Sequence, residues 1–334
     1  MNTIPLHQLP DKAFESVLRS MENYDQLAYS LCSRNAKKSI KSLKLKAKEI
    51  NFKMFAYIVT EIHFENFIQF SSYIRDDEFF PNDQSIAHRD IKVYVRSPFG
   101  EQVQWSWNFK NFEYKEWVHH FCEVLHYPRI DKLVFSGESI DDNYIEPVQK
   151  VIKGLQIGRL ALCGDLTNDF LKKALESFPD YEKLSLDQIP FDSHKLNKYL
   201  VQNLKSLCIE EAQRLKIDQV FVTNSETIRL YSSEFTENDF NRFLKLWIRG
   251  SNSRLKFFYR SGDLQLGIVS LNKNVILKGI KYERIPLDSQ EVYKDYTSVH
   301  FRNVPLAGGF RIWRPNGTSA VIVVEDNKLK FIVE

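Results

Sequence analysis

RIDKLVFSGESIDDNYIEPVQKVIKGLQIGRLALC, from Arg129 to Cys163, holds two short apolar runs separated by one helical stretch. Lys132-Leu133-Val134-Phe135 and Arg159-Leu160-Ala161-Leu162 share the form x-Leu-x-apolar. Between them, Tyr144 to Ile152 carries Ile145, Val148, Val151 and Ile152 at helical spacing. A strand, a crossover of this length and a second strand predict parallel pairing through a right-handed connection. The motif recurs as Lys183-Leu184-Ser185-Leu186, Ser206-Leu207-Cys208-Ile209, Thr227-Ile228-Arg229-Leu230 and Arg254-Leu255-Lys256-Phe257. The first apolar positions, 133, 160, 184, 207, 228 and 255, keep the roughly 20–29-residue period of leucine-rich repeats. Asn168 to Phe178, Leu196 to Leu204 and Thr236 to Ile248 read as the intervening helices or turns. The last is the strongest: Phe240, Phe243, Leu244, Trp247 and Ile248 make its apolar face, Thr236 its N-cap, and Gly250 its end. The expected fold class is α/β, a leucine-rich-repeat-like open curved sheet over 131–260 with helices on one side. Its other face then forms a long binding surface.

Beyond Gly262 the chain turns extended. Phe301 to Val304, Phe310 to Trp313, Ala320 to Val324 and Leu329 to Val333 read as strands, with Asn316-Gly317 and Asp326-Asn327 at the turns. An antiparallel β meander over 261–334 is expected to cap the array. Before the array, 46–130 is a mixed segment of strands and a helix. Ile50, Phe52 and Met54 alternate, as do Ile62 and Phe64, and 76–90 reads as a polar loop. A hairpin follows around Ser97-Pro98-Phe99-Gly100, with Trp105 and Trp107 on one face. Buried core is the favoured reading of that face, and base stacking the alternative. Phe112 to His126 is a helix in which His119, Cys122 and His126 share a sector. Cys122 lies on its apolar stripe and no fourth ligand stands nearby, so no metal site is expected.

The first forty-five residues pack three short amphipathic helices into little chain. Leu9-Pro10 opens the first, with proline at its first helical position. Ala13, Phe14, Val17, Leu18 and Met21 form one stripe, and Leu27, Ala28, Leu31 and Cys32 a second. Ile40 and Leu43 start the third. A unit this small needs support from the rest of the chain or from a partner. Arg34, Lys37, Lys38, Lys41, Lys44, Lys46 and Lys48 make the third helix and its exit basic. A solvated face, or one turned to an acidic partner, explains them better than nucleic acid.

Composition narrows the function. The 334 residues are 43% hydrophobic and 27% charged with a net charge of +3, which demands neither nucleic acid nor an anionic membrane. Cys32, Cys122, Cys163 and Cys208 are scattered, which is neither a disulfide framework nor a zinc pattern; all four read as core thiols. No secretory leader or membrane span is apparent, so a soluble protein of the cytoplasm and/or nucleus is expected. No phosphate-binding glycine loop, nucleophile elbow or zinc-protease motif occurs. A non-catalytic protein without a cofactor is the expectation.

Three stretches carry a family resemblance. Leu9-Pro10, Val17-Leu18, Met21, Leu27 and Ser30-Leu31-Cys32-Ser33 make residues 1–45 resemble an F-box, in the form common in nematode F-box proteins. Phe235-Thr236-Glu237-Asn238-Asp239-Phe240 through Leu255 resembles the F-box-associated (type 2) segment of the same proteins. Leu246 replaces the usual His there, and Ser253 stands where Pro is common. Gly308 to Thr318 resembles that family's closing hairpin. The resemblance implies a substrate receptor of an SCF-type cullin ubiquitin ligase. It would bind a Skp-type adaptor, and through it a cullin scaffold, while holding an unknown protein substrate. The residues implied as adaptor-facing or supporting are Leu9, Pro10, Phe14, Val17, Leu18, Met21, Leu27, Leu31 and Cys32. Two alternatives stand beside this reading. One is a nucleic-acid module using the basic 34–48 helix and the Trp105/Trp107 face; the other is a repeat-type interaction protein with no ubiquitin role.

Overall fold

The computed structural model describes residues 6–55, 57–64, 67–73, 90–96, 102–108, 112–137, 140–189, 193–262, 270–295, 302–306 and 308–334. The chain is mixed α/β and divides into two compact units, 1–160 with 173–180, and 161–172 with 181–334. The expected loop over 76–89, the turn over 97–100, and the side chains of Trp105, Trp107 and Phe109 lie outside the described residues.

The first unit opens with helices α1 (Asp11–Ser20), α2 (Asn23–Cys32) and α3 (Arg34–Ser42). Pro10 is the N-cap of α1 rather than its first residue, with φ −56° and ψ 146°, and its carbonyl accepts from Phe14 N at 2.9 Å. Ser33 ends α2 and caps α3, its hydroxyl accepting from Ala36 N at 3.1 Å, so the third helix starts earlier than Ile40. Strands β1 (Glu49–Met54), β2 (Tyr57–His63), β3 (Phe67–Tyr73), β4 (Asp90–Arg96) and β5 (Gln102–Asn108) follow in antiparallel succession. Helix α4 (Tyr114–Val124) then leads to β6 (Arg129–Ser136), which pairs in parallel with β1, Leu133 opposite Phe52. The strands before β6 thus share a sheet with it. Alternation fixes its helix-facing side: Ile50, Phe52, Met54, Leu133 and Phe135 are buried, and Phe52 packs edge-on against Tyr114 of α4. Helix α5 (Ile145–Ile152) closes this unit, while β7 (Gln156–Cys163) and α6 (Asn168–Ser177) each contribute to both.

The second unit alternates β8 (Tyr181–Gln188), α7 (Ser193–Leu200), β9 (Ser206–Glu211), α8 (Ile217–Val222), β10 (Thr227–Leu230), α9 (Glu237–Ile248) and β11 (Phe257–Ser261). The four strands are parallel, and Leu184, Leu207, Ile228 and Phe258 stand in one register row, all buried. Leu255 is therefore not the last member of the series. It lies before the strand, and Phe258 takes the equivalent place because α9 and its exit use more chain than the shorter crossovers. Helix α9 starts as its sequence predicts: Thr236 Oγ1 accepts from Asp239 N at 3.3 Å and Asp239 Oδ2 accepts from Thr236 N at 2.9 Å. Phe235 packs on Phe240 across the cap, a hydrophobic staple. Gly250, at φ +108°, ends the helix where a side chain would be strained.

The remaining elements are α10 (Lys273–Ile276), β12 (Glu283–Ile285), β13 (Val292–Asp295), β14 (Arg302–Pro305), β15 (Gly309–Trp313), β16 (Ser319–Glu325) and β17 (Lys328–Val333). β17 pairs antiparallel with β11, and β16, β15 and β12 extend the sheet outward. β13 and β14 form a separate ribbon. Ile285 and Leu306, with Tyr293 of the ribbon, cover Phe257, Tyr259, Val321 and Ile332. This corrects the expected open strand face. These residues alternate with those facing α9, so the sheet is apolar on both sides here and needs cover on both.

The joint between parallel and antiparallel strands is aromatic. Phe243 packs on Phe258 and Phe331, and Trp247 meets Phe331 edge-on at 5.0 Å with the Arg314 guanidinium 4.3 Å above its ring. Trp247→Ala is expected to destabilise this unit by about 3–5 kcal/mol, read as a lower urea midpoint by circular dichroism.

Candidate protein-interaction surface

The three N-terminal helices bury a small core of their own. Leu18, Leu27, Ala36, Ile40 and Leu43 are at most 5% exposed, so Leu18 and Leu27 support the module and cannot face a partner. Gln26, also buried, ties α1 to α2: its amide donates to Leu18 O at 2.8 Å and accepts from Asn23 at 3.0 Å. Leu9, Phe14, Val17, Met21 and Leu31 remain half-buried, and Pro10 and Cys32 are exposed. Phe14 meets Tyr29 edge-on, and Tyr29 is half-buried too. The module's own packing therefore leaves a row of apolar side chains partly in water. Exposed Cys32 departs from the expected core thiol, because its place on α2 lies off the face carrying Leu27 and Ser30.

Support comes from α4. Ser30 Oγ donates to Leu27 O at 2.6 Å, so its 2.8 Å contact with His120 must be an N–H donated by His120 Nε2. That hydrogen bond is buried and joins residues ninety apart in sequence. Burial, aided by nearby Lys37 and opposed by Glu123, lowers the His120 pKa to about 4 and keeps the ring neutral. Around it, Lys37 and Lys41 both reach Glu123, at 2.7 and 3.1 Å, and His126 Nε2 donates to Lys41 O at 3.0 Å. Two lysines of the basic helix thus serve an intramolecular carboxylate. Hydrogen bonds from these lysines hold Glu123 down at about 2, although it is half-exposed and the pairs count for little in stability.

The same contacts remove the zinc reading. His119 donates to Val151 O at 2.8 Å, His126 turns to α3, and burial followed by Asp131 pushes the Cys122 thiol up to about 12. Among the described residues no group of three His, Cys, Asp or Glu side chains could hold a metal. Among them, too, no helix is long and apolar enough to cross a membrane. The anchoring pair was not legible beforehand: Ser30 sat inside a motif and His120 inside an apolar helix, with no local signal linking them.

Residues 6–48 match the F-box domain family, and residues 195–259 match the F-box associated family. The chain carries an F-box and an F-box-associated region. The second match spans α7 to β11 and includes the Thr236-capped helix. Along its length the chain is 24% identical over 319 residues to the F-box associated domain-containing protein sdz-33 of Caenorhabditis elegans, covering 96% of this chain and 93% of that protein. No solved structure matches it. Both matched families are non-catalytic interaction domains, and substrate recognition in SCF-type ubiquitin ligases is the usual role of F-box proteins.

His120 makes stability depend on pH with a definite sign. Its folded pKa lies below the ordinary value near 6.5, so the unfolded chain binds the proton more readily between about pH 6.5 and 4. The contribution is complete above 6.5 and lost as pH falls through 4, about 3 kcal/mol at most. Urea midpoints should drop across that window, and His120→Gln, which keeps a donor for Ser30, should flatten the drop.

Proposed function

We propose that this F-box protein is the substrate-recognition subunit of an SCF-type cullin ubiquitin ligase. Its F-box docks a Skp-type adaptor through Leu9, Pro10, Phe14, Val17, Met21, Leu31 and Cys32, with Leu18 and Leu27 holding the helices beneath. The observation that carries this reading is the row of apolar side chains that the F-box's own core leaves half-buried. Such a surface gains from a partner that removes it from water, at roughly 25 cal/mol per Å² of apolar area. Through the adaptor the chain joins a cullin scaffold.

The succession of strands and helices from 131 to 260 serves as a leucine-rich-repeat-like array, and 261–334 as its antiparallel cap. Together they hold a protein substrate. The chain itself performs no bond chemistry; it raises the effective concentration of substrate lysines near the charged conjugating enzyme. Its place is the cytoplasm and/or nucleus. A nucleic-acid role is disfavoured because Lys37 and Lys41 are committed to Glu123, leaving the third helix a weaker cationic face.

Co-expression with a Skp-type adaptor tests the proposal. The wild type should co-purify with it, and Leu9→Ala/Pro10→Ala should weaken that association at least tenfold, about 1.4 kcal/mol, with an unchanged urea midpoint. A wild type that purifies without the adaptor removes the ligase reading and leaves a repeat-type interaction protein.

A further inference from the structure

The sheet of the second unit ends at β12, and that edge is short, charged and open. Among the described residues β12 is the outermost strand and pairs only with β15, Arg284 opposite Phe310. Among them, too, Lys281 to Ile285 have no further backbone partner. Such an edge offers its outward N–H and C=O groups to any second strand. Lys281, Tyr282, Glu283 and Arg284 are all exposed. The three charged ones enter no ion pair among the described residues; the pairs at this corner belong to Arg311 with Glu291 and Glu334. Tyr282 lies edge-on to Phe310 at 5.2 Å, as a strand continued back through Tyr282 requires.

A second copy of the chain adds to such an edge across a two-fold axis, the same strand pairing with itself antiparallel. With the axis perpendicular to the sheet, every side chain keeps its face, and the residue on the axis meets its own copy. Charge then selects the alignment. An axis through Lys281, Glu283 or Arg284 sets that charge against itself, which destabilises a cross-strand pair. An axis through Ile285 runs the pairing into the turn that Ser289 N closes on Pro286 O at 3.3 Å. An axis through Tyr282 sets tyrosine beside tyrosine and puts Lys281 of each copy opposite Glu283 of the other. Charges on an edge ordinarily keep foreign strands away. Here they repel in three alignments and attract in one. The β12–β15 register, continued outward, places Trp313 opposite Lys281, on the face that would carry both ion pairs. Exposed aromatic surface thus borders the axis on both faces, Trp313 on one and Tyr282 on the other, each 38% exposed.

We propose that β12 is a self-association edge, through which two copies of this chain pair antiparallel over Lys281-Tyr282-Glu283. Two Lys281–Glu283 ion pairs flank a Tyr282–Tyr282 contact on the axis. The partner is a second copy because Lys-Tyr-Glu, laid antiparallel on itself, supplies each charge with its opposite. So few residues a side make an interface below the roughly 1,200 Å² of standard complexes, and the association is weak and concentration-dependent. It does not rest on the adaptor reading, since β12 belongs to the second unit and the F-box to the first.

Sedimentation velocity of the full chain, from about 1 to about 100 μM, tests the proposal. The wild type should pass from monomer to dimer over that range, and the dimer should weaken as salt rises. Lys281→Glu and Glu283→Lys, at exposed positions that leave folding intact by circular dichroism, should each weaken dimerisation by about tenfold or more, because each sets two pairs of like charges opposite. Mixed in equal amounts, the two variants should form a heterodimer as tight as the wild-type dimer, since one then brings two carboxylates to two lysines of the other. A wild type that stays monomeric throughout the range overturns the proposal. A dimer that survives either reversal unchanged overturns it too, by placing the contact elsewhere. So does a mixture of the two variants that stays as dissociated as each alone.

Discussion

Burial of the α9 aromatic face holds the second unit together. Phe240, Phe243 and Trp247 are fully buried, and between them they touch Phe258 of β11 and Phe331 of β17. Those two strands run antiparallel where β8 to β11 run parallel. One helix face therefore spans the change of direction and fixes both strands at once. Polar groups complete the joint: Arg314 donates to Ser251 O at 2.6 Å and to Trp247 O at 2.9 Å, the latter also accepting from Gly250 N. Arg260 does the same between strands, donating to Ser233, Phe235 and Asn327 from a buried position. Loss of the aromatic packing would free the C-terminal strands from the sheet they extend.

In the first unit the F-box is not left to stabilise itself. Its own core is five or so small apolar side chains, too little for independence at this size. α4 completes it through the buried Ser30–His120 hydrogen bond. A neutral, buried histidine donor is a costly group to misplace, since an unsatisfied partner costs about 1–3 kcal/mol. The F-box is thus held in one orientation on α4, and the residues left half-exposed are those its two internal contacts do not need. For the substrate receptor proposed above that rigidity is an advantage, because effective concentration falls when geometry is loose.

Much of this was legible in particular residues. The Thr236 N-cap and the Gly250 stop are local signals, satisfied by neighbours within a few positions, and each appears in the structure as its sequence implies. Strand rows at Leu184, Leu207 and Ile228 were legible for a related reason: parallel register repeats when crossovers are similar in length. The row failed at Leu255, where α9 lengthened the connection and moved the buried position to Phe258. Cys32 misled because two apolar residues adjacent on a helix, Leu31 and Cys32, do not share its buried face.

Local periodicity, caps and turns are contained in sequence because their partners lie within one helical turn or one strand, and they determined the helices, the strands and the F-box likeness of this chain. Tertiary structure alone decided the pairings that cross long spans of chain: β1 beside β6, β17 beside β11, His120 beneath Ser30, and the ribbon over Phe257 and Tyr259. Each depends on which buried donor or apolar face finds its complement after the chain has folded back. A residue's own neighbours carry no record of that choice.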